Sequence, residues 1–180
     1  QVGRFMRPFL CTDKPCDHYK GTFMFWMSLI PAFHALAAVL WVGGIFLVFM
    51  VLRPSAAATL EPAHRITLLR EVFSRFFRWV WLFIAVILVT GYSEIWMLGS
   101  MAKAPPYIHL MQAVGLFMIL AFAWLYFMPY KLLCKAADAG NTELAARIIN
   151  NNMKPVIATN LVLGICEVII GVAGRYWSLV

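Results

Sequence analysis

Charge is what this sequence has least of. Asp, Glu, Lys and Arg supply 13% of its 180 residues, against roughly 25% in an ordinary soluble domain. Hydrophobic residues make up 63% and the mean hydropathy is +0.80, so the chain reads as an integral membrane protein. Its length allows one compact domain of a few spans and leaves no room for a soluble enzyme beside it. Catalytic signals are missing too: there is no nucleophile with a placed base, no phosphate-cradling loop and no HExxH pattern, which makes catalysis by the chain itself the weakest reading. No repeat and no low-complexity tract interrupts it. Residues 1 to 22 are polar, with Arg4, Arg7, Lys14 and Lys20 and no apolar core segment, so a cleavable signal peptide is not expected there. The net charge of +7 would suggest an anionic partner in a soluble protein. Here the basic residues fall in loops and at span ends, where they read as topology signals and lipid headgroup contacts, not as a nucleic-acid patch.

What is present resolves into an all-α, four-helix transmembrane bundle. A polar N-terminal arm, residues 1 to 22, precedes a membrane domain, residues 23 to 180, with spans at about 23–52, 80–98, 108–130 and 155–177. Arg53-Pro54 is expected to end the first span, Pro129 and Lys131 the third, and Pro155 to begin the fourth. Between the first two spans, Ile66, Leu69, Val72, Phe73, Phe76 and Phe77 fall on one side, as in an amphipathic helix lying in the membrane interface. Pro105-Pro106 breaks the connector to the third span, and Asp138-Ala-Gly-Asn141 marks a turn before the fourth.

Four spans put the loop between spans 1 and 2 and the loop between spans 3 and 4 on one side. That side holds Arg53, Arg65, Arg70, Arg75, Arg78, Lys131, Lys135, Arg147 and Lys154; the other holds Arg4, Arg7, Lys14, Lys20, Lys103 and Arg175. The positive-inside rule therefore expects both termini outside, in a multi-pass protein of the bacterial inner membrane. Cys11 and Cys16 would then face an oxidising compartment. They form a disulfide loop or remain free thiols, or bind a metal together with His18, although three ligands fall short of the usual four of a structural zinc site. His18 and His64, in polar segments, read as solvated.

The functional signal is polar residues inside the apolar runs. His34 sits within Pro31-Ala-Phe-His34-Ala-Leu-Ala-Ala-Val-Leu-Trp41-Val-Gly-Gly44, sharing a helical face with Ala37, Ala38 and Trp41. His109 and Gln112 share a face at the start of the third span. Glu94 lies a turn or two in from the outer end of the second span, and Glu167 about two turns below Arg175 in the fourth. Intramembrane ionisable residues are costly and mark a site by default; the bland alternative is that each is a satisfied interhelical contact. Two imidazoles from different helices suit a b-type haem, with a slot of small residues at Ala37, Ala38, Gly91 and the Gly164, Gly171, Gly174 stripe, and with Arg175 or Lys103 for the propionates. The same glycines also permit close approach of a neighbouring helix. Copper is the alternative, bound by the histidines with sulfur from Met97, Met101 or Met111. The cofactor-binding candidates are thus His34, His109, Trp41, Glu94, Gln112 and Arg175, with His34 and His109 as metal ligands.

Three segments resemble the CopD-like membrane proteins, named for copper resistance protein D: His34 to Gly44 running on to Leu52-Arg-Pro54; Leu60-Glu-Pro62 followed by Val72-Phe-Ser-Arg-Phe-Phe-Arg-Trp-Val-Trp81; and Tyr107-Ile-His109 with the Tyr130-Lys-Leu-Leu loop. More distantly the pattern is similar to the HemJ-type protoporphyrinogen oxidases, with a histidine early in the first span and another at the start of the third. The resemblance covers about residues 28 to 176 and implies a four-helix membrane bundle in which His34 and His109 are the positions carried over, for haem b in the HemJ type and for copper handling in the CopD type. HemJ-type proteins have a lysine where this chain has Gln112, which argues against oxidation of protoporphyrinogen. The arm with Cys11 and Cys16 is not part of the shared pattern and reads as a docking element for other membrane or periplasmic subunits. The first expectation is therefore a b-type haem protein serving electron transfer, or an accessory subunit of a membrane redox complex. The second is a copper transport or delivery protein using the same histidines, and the third a cofactor-free structural subunit.

Overall fold

The computed structural model describes residues 15–177, with no β-strand among them. The helices, in chain order, are α1 (Pro15–Phe46), α2 (Arg53–Thr59), α3 (Pro62–Met97), α4 (Pro106–Leu125), α5 (Lys131–Asp138), α6 (Thr142–Ile148) and α7 (Lys154–Trp177). They join end to end into four antiparallel rods, each long and apolar enough to cross a membrane: Met27–Thr59, Pro62–Met97, Pro106–Asp138 and Thr142–Gly174. At ~1.5 Å per residue, a rod of 33 residues is ~50 Å long. A hydrocarbon core is only about 30 Å thick, so the rods extend beyond it. Apolar side chains such as Phe33, Leu40, Leu120 and Val162 are exposed along the outside of the bundle, as a lipid-facing surface requires.

The prolines at the span ends do not stop the helices where the sequence suggests. A π-helical turn carries the rod past each of the three: Leu47–Leu52 before Pro54, Tyr126–Tyr130 around Pro129, and Ile149–Met153 before Pro155. Proline removes one N–H and its ring pushes on the carbonyl four residues back. A wider turn at that carbonyl absorbs the clash, and the helix continues. The chain reverses instead at Leu60-Glu61, at the connector holding Gly99 with φ +89°, and at Gly140 with φ +68°. Those two glycines adopt the left-handed conformation that a Cβ disfavours. Asn141 then caps α6 by accepting from the Leu144 N–H at 2.9 Å, which satisfies one of the free donors of the first turn. Pro106 opens α4 at a position that needs no N–H.

The amphipathic segment expected between the first two spans is the first half of α3, continuous with the second span and not a separate element. Its apolar stripe is buried against protein: Ile66, Leu69, Phe73 and Phe77 are 1 to 4% exposed and pack with Leu133 and Ala136 of α5 and Ala145 and Ile148 of α6 in one core. Arg70 pairs with Asp138 of α5 at 2.7 Å on the surface of this end.

Packing is uneven along the bundle. The largest fully buried side chains, Phe73, Leu125, Leu133, Met153 and Val80, lie toward the end where the 60–61 and 139–141 turns sit. An aromatic cluster closes this half. Phe77 meets Tyr130 at 5.0 Å and Phe122 at 5.3 Å, both edge-on, an arrangement that suits the ring quadrupoles. Toward the other end, called the connector end for the 98–105 connector, few residues are buried and polar side chains enter the interior.

Candidate functional site at the connector end

His34 is positioned by α1 and held by α3. Its Nδ1 lies 2.9 Å from Oγ1 of Thr90, which is buried. The Thr90 hydroxyl has a single proton, and it lies 2.6 Å from the Val86 carbonyl one turn back, with the Ile87 carbonyl at 3.3 Å. With that proton on the helix backbone, a common habit of helical threonine, Oγ1 accepts from His34 Nδ1 and a neutral imidazole presents its lone pair at Nε2. Gly91 completes the seat: a Cβ there would lie 3.2 Å from His34 Cε1, so a side chain would press on the ring.

Two carboxyl groups share this half of the bundle. Glu94, one turn beyond Thr90 on α3, and Glu167 on α7 are both half-buried. Each has a buried Oε1 without a hydrogen-bond partner. A buried oxygen that accepts nothing is costly unless a proton, a water or a cation meets it. Trp41, two turns below His34, is 4% exposed and meets Phe122 edge-on at 6.2 Å. Its indole N–H is unpartnered, as is Oδ1 of Asn160, whose Nδ2 donates to the Met118 carbonyl at 3.2 Å. Both residues line the same small cavity of ≈ 20 Å³.

The remaining candidates separate. Gln112 donates from Nε2 to the Tyr92 hydroxyl at 3.3 Å, linking α4 to α3. His109 is exposed on α4, and no hydrogen bond joins it to His34 among the described residues. Cys11 lies outside the described residues, as do the side chains of Cys16, His18 and Arg175. The glycine stripe of α7 is filled by neighbouring helices. A Cβ on Gly164 would come 2.5 Å from Val42, one on Gly171 3.0 Å from Met111, and one on Gly174 2.5 Å from Tyr107. Of the two uses open to that stripe, close helix packing is therefore the one observed, and no flat slot runs along it. Among the described residues no three His, Cys, Asp or Glu side chains gather as a metal site.

Thr90 and Tyr92 do not stand out in the sequence. The available signal is a threonine that follows the apolar run Ala85 to Val89 and precedes a glycine, one turn from Glu94.

Residues 70–174, more than half the chain, match the family described as copper resistance protein D. No curated protein and no solved structure matches. The matched segment carries Thr90, Gly91 and Glu94 together with α4, α5, α6 and α7 as far as Gly174; His34 lies before it.

Proposed function

The chain belongs to the copper resistance protein D family, and on that premise we propose that this multi-pass membrane protein handles copper as cargo, with His34 Nε2 as the ligand that receives the ion. One observation supports this above the others: Thr90 Oγ1 lies 2.9 Å from His34 Nδ1, a contact that holds the imidazole in one orientation and leaves Nε2 outside it. Metal-binding histidines are typically oriented in this way by an oxygen acceptor. Imidazole is a good copper ligand, and the thioethers available at the connector end, Met97, Met101 and Met111, suit Cu(I). The unpartnered oxygens of Glu94 and Glu167 give the ion's charge compensation inside the bundle.

The sparse donor set is consistent with transit. A cargo ion must bind well enough to enter and loosely enough to leave, whereas a closed storage site collects four ligands. Haem b receives less support from the geometry, because His109 is exposed and side chains occupy the glycine stripe. On the charge asymmetry, we place both termini on the outer side of the bacterial inner membrane, so copper meets His34 from outside. The test is copper flux in vesicles containing the purified protein and a trapped copper-sensitive dye. Wild type is expected to pass copper and His34→Ala to abolish it; equal flux from both would refute the role of His34.

A further inference from the structure

At the opposite end of the bundle lies a cavity of ≈ 450 Å³ between the α1–α2 junction, the start of α3 and the α6–α7 junction. Three cations line it, Arg53, Arg65 and Lys154, and no carboxylate does. Arg53 is half-buried and is held in place: Nη2 donates to Asn150 Oδ1 at 2.7 Å, and Cζ lies 5.9 Å from the Phe49 ring centre. That uses one of five guanidinium hydrogens and leaves the rest available for a further acceptor. Arg53 and Arg65 are near enough for their like charges to interact, which is unfavourable without a counter-ion.

Three of the four acids of this end are engaged elsewhere. Glu71 pairs with Arg75, Asp138 with Arg70, and Glu143 with Arg147. Glu61 is exposed and forms no ion pair among the described residues. The wall beside the cations is apolar, formed by Phe49, Met50, Ile66 and Leu69. A polyvalent oxyanion satisfies the cations, since guanidinium geometry matches phosphate, and the apolar wall accepts the start of an alkyl chain.

We propose that this cavity binds a phosphate group, the shared chemistry of an anionic phospholipid headgroup and of free inorganic phosphate, through Arg53, Arg65 and Lys154. The site is separate from His34 and does not depend on the copper reading.

The experiment uses the full chain in a neutral detergent and follows thermal unfolding with added phosphatidylglycerol, phosphatidylcholine or inorganic phosphate. A rise in melting temperature with phosphatidylglycerol and not with phosphatidylcholine identifies the lipid source; a rise with inorganic phosphate alone identifies the free anion. The affinity of whichever ligand binds is expected to fall more than about ten-fold in Arg53→Gln combined with Arg65→Gln, each cation near a membrane surface being worth about five-fold. Lys154→Gln, at an exposed position, should weaken binding without touching the fold, and Arg78→Gln, outside the cavity, should leave it unchanged. No shift with any anion, or a shift that persists in both the double variant and Lys154→Gln, overturns the proposal.

Discussion

His34 Nδ1 meets Thr90 Oγ1 across the α1–α3 contact at 2.9 Å, and the same hydroxyl lies 2.6 Å from the Val86 carbonyl. That contact engages Nδ1 and leaves Nε2 outside it. It joins a residue outside the family-matched segment to one within it.

Thr90→Val removes that acceptor at nearly constant shape. Outer acceptors of metal-bound histidines are worth about 10–100-fold in metal affinity, so copper binding by the variant should weaken by about that factor, measured by competition with a chelator of known affinity. Thr90→Ser keeps the acceptor and should stay within a few-fold of wild type. If Thr90→Val binds as wild type does, the bond does not position His34.

Gly91 and Gly164 should respond differently to alanine. At Gly91 the new Cβ would sit 3.2 Å from the edge of the His34 ring, a distance relieved by a small shift, and alanine favours a helix over glycine by about 1 kcal/mol. Gly91→Ala is therefore expected to keep or raise thermal stability while lowering copper affinity. At Gly164 the Cβ would meet Val42 at 2.5 Å and Met118 at 3.2 Å. Overpacking of this kind costs about 1–3 kcal/mol, so Gly164→Ala should lower the unfolding temperature, read by circular dichroism in detergent.

Trp41 packs with its ring and leaves its N–H unpartnered. Trp41→Phe keeps most of the apolar surface and removes that donor, so its cost should be small. Trp41→Ala should cost about 3–5 kcal/mol, as large-to-small changes in a core do. Denaturant unfolding of the two variants compares them; equal losses would show that the N–H, not the ring, is what matters.

The four membrane helices were legible because uninterrupted apolar runs have few other outcomes, and the turns at Gly99 and Gly140 because proline and glycine mark them. The helix ends were not. Pro54, Pro129 and Pro155 read as stops, and only the backbone shows the π turns that carry each helix past. Within the site, His34 was legible as an ionisable residue in an apolar run, as were the unpartnered carboxylates Glu94 and Glu167. Its acceptor was not, since Thr90 is 56 positions away and the register between α1 and α3 is set by packing. His109 was placed by its position along the third span, but the face of α4 it occupies depends on how that helix rotates against α3 and α7. The glycine stripe of α7 announced a close approach without saying whether a ligand or side chains such as Val42 and Tyr107 would fill it.

Copper binding by the purified protein and its His34→Ala variant tests the central role of His34 most directly. Copper titrated into each in competition with a chelator of known affinity should saturate wild type at a stoichiometric amount and fail to bind the variant, with both equally folded by circular dichroism. Unchanged copper in His34→Ala, or a wild-type protein without copper that shows the Soret band of a haem, would contradict it.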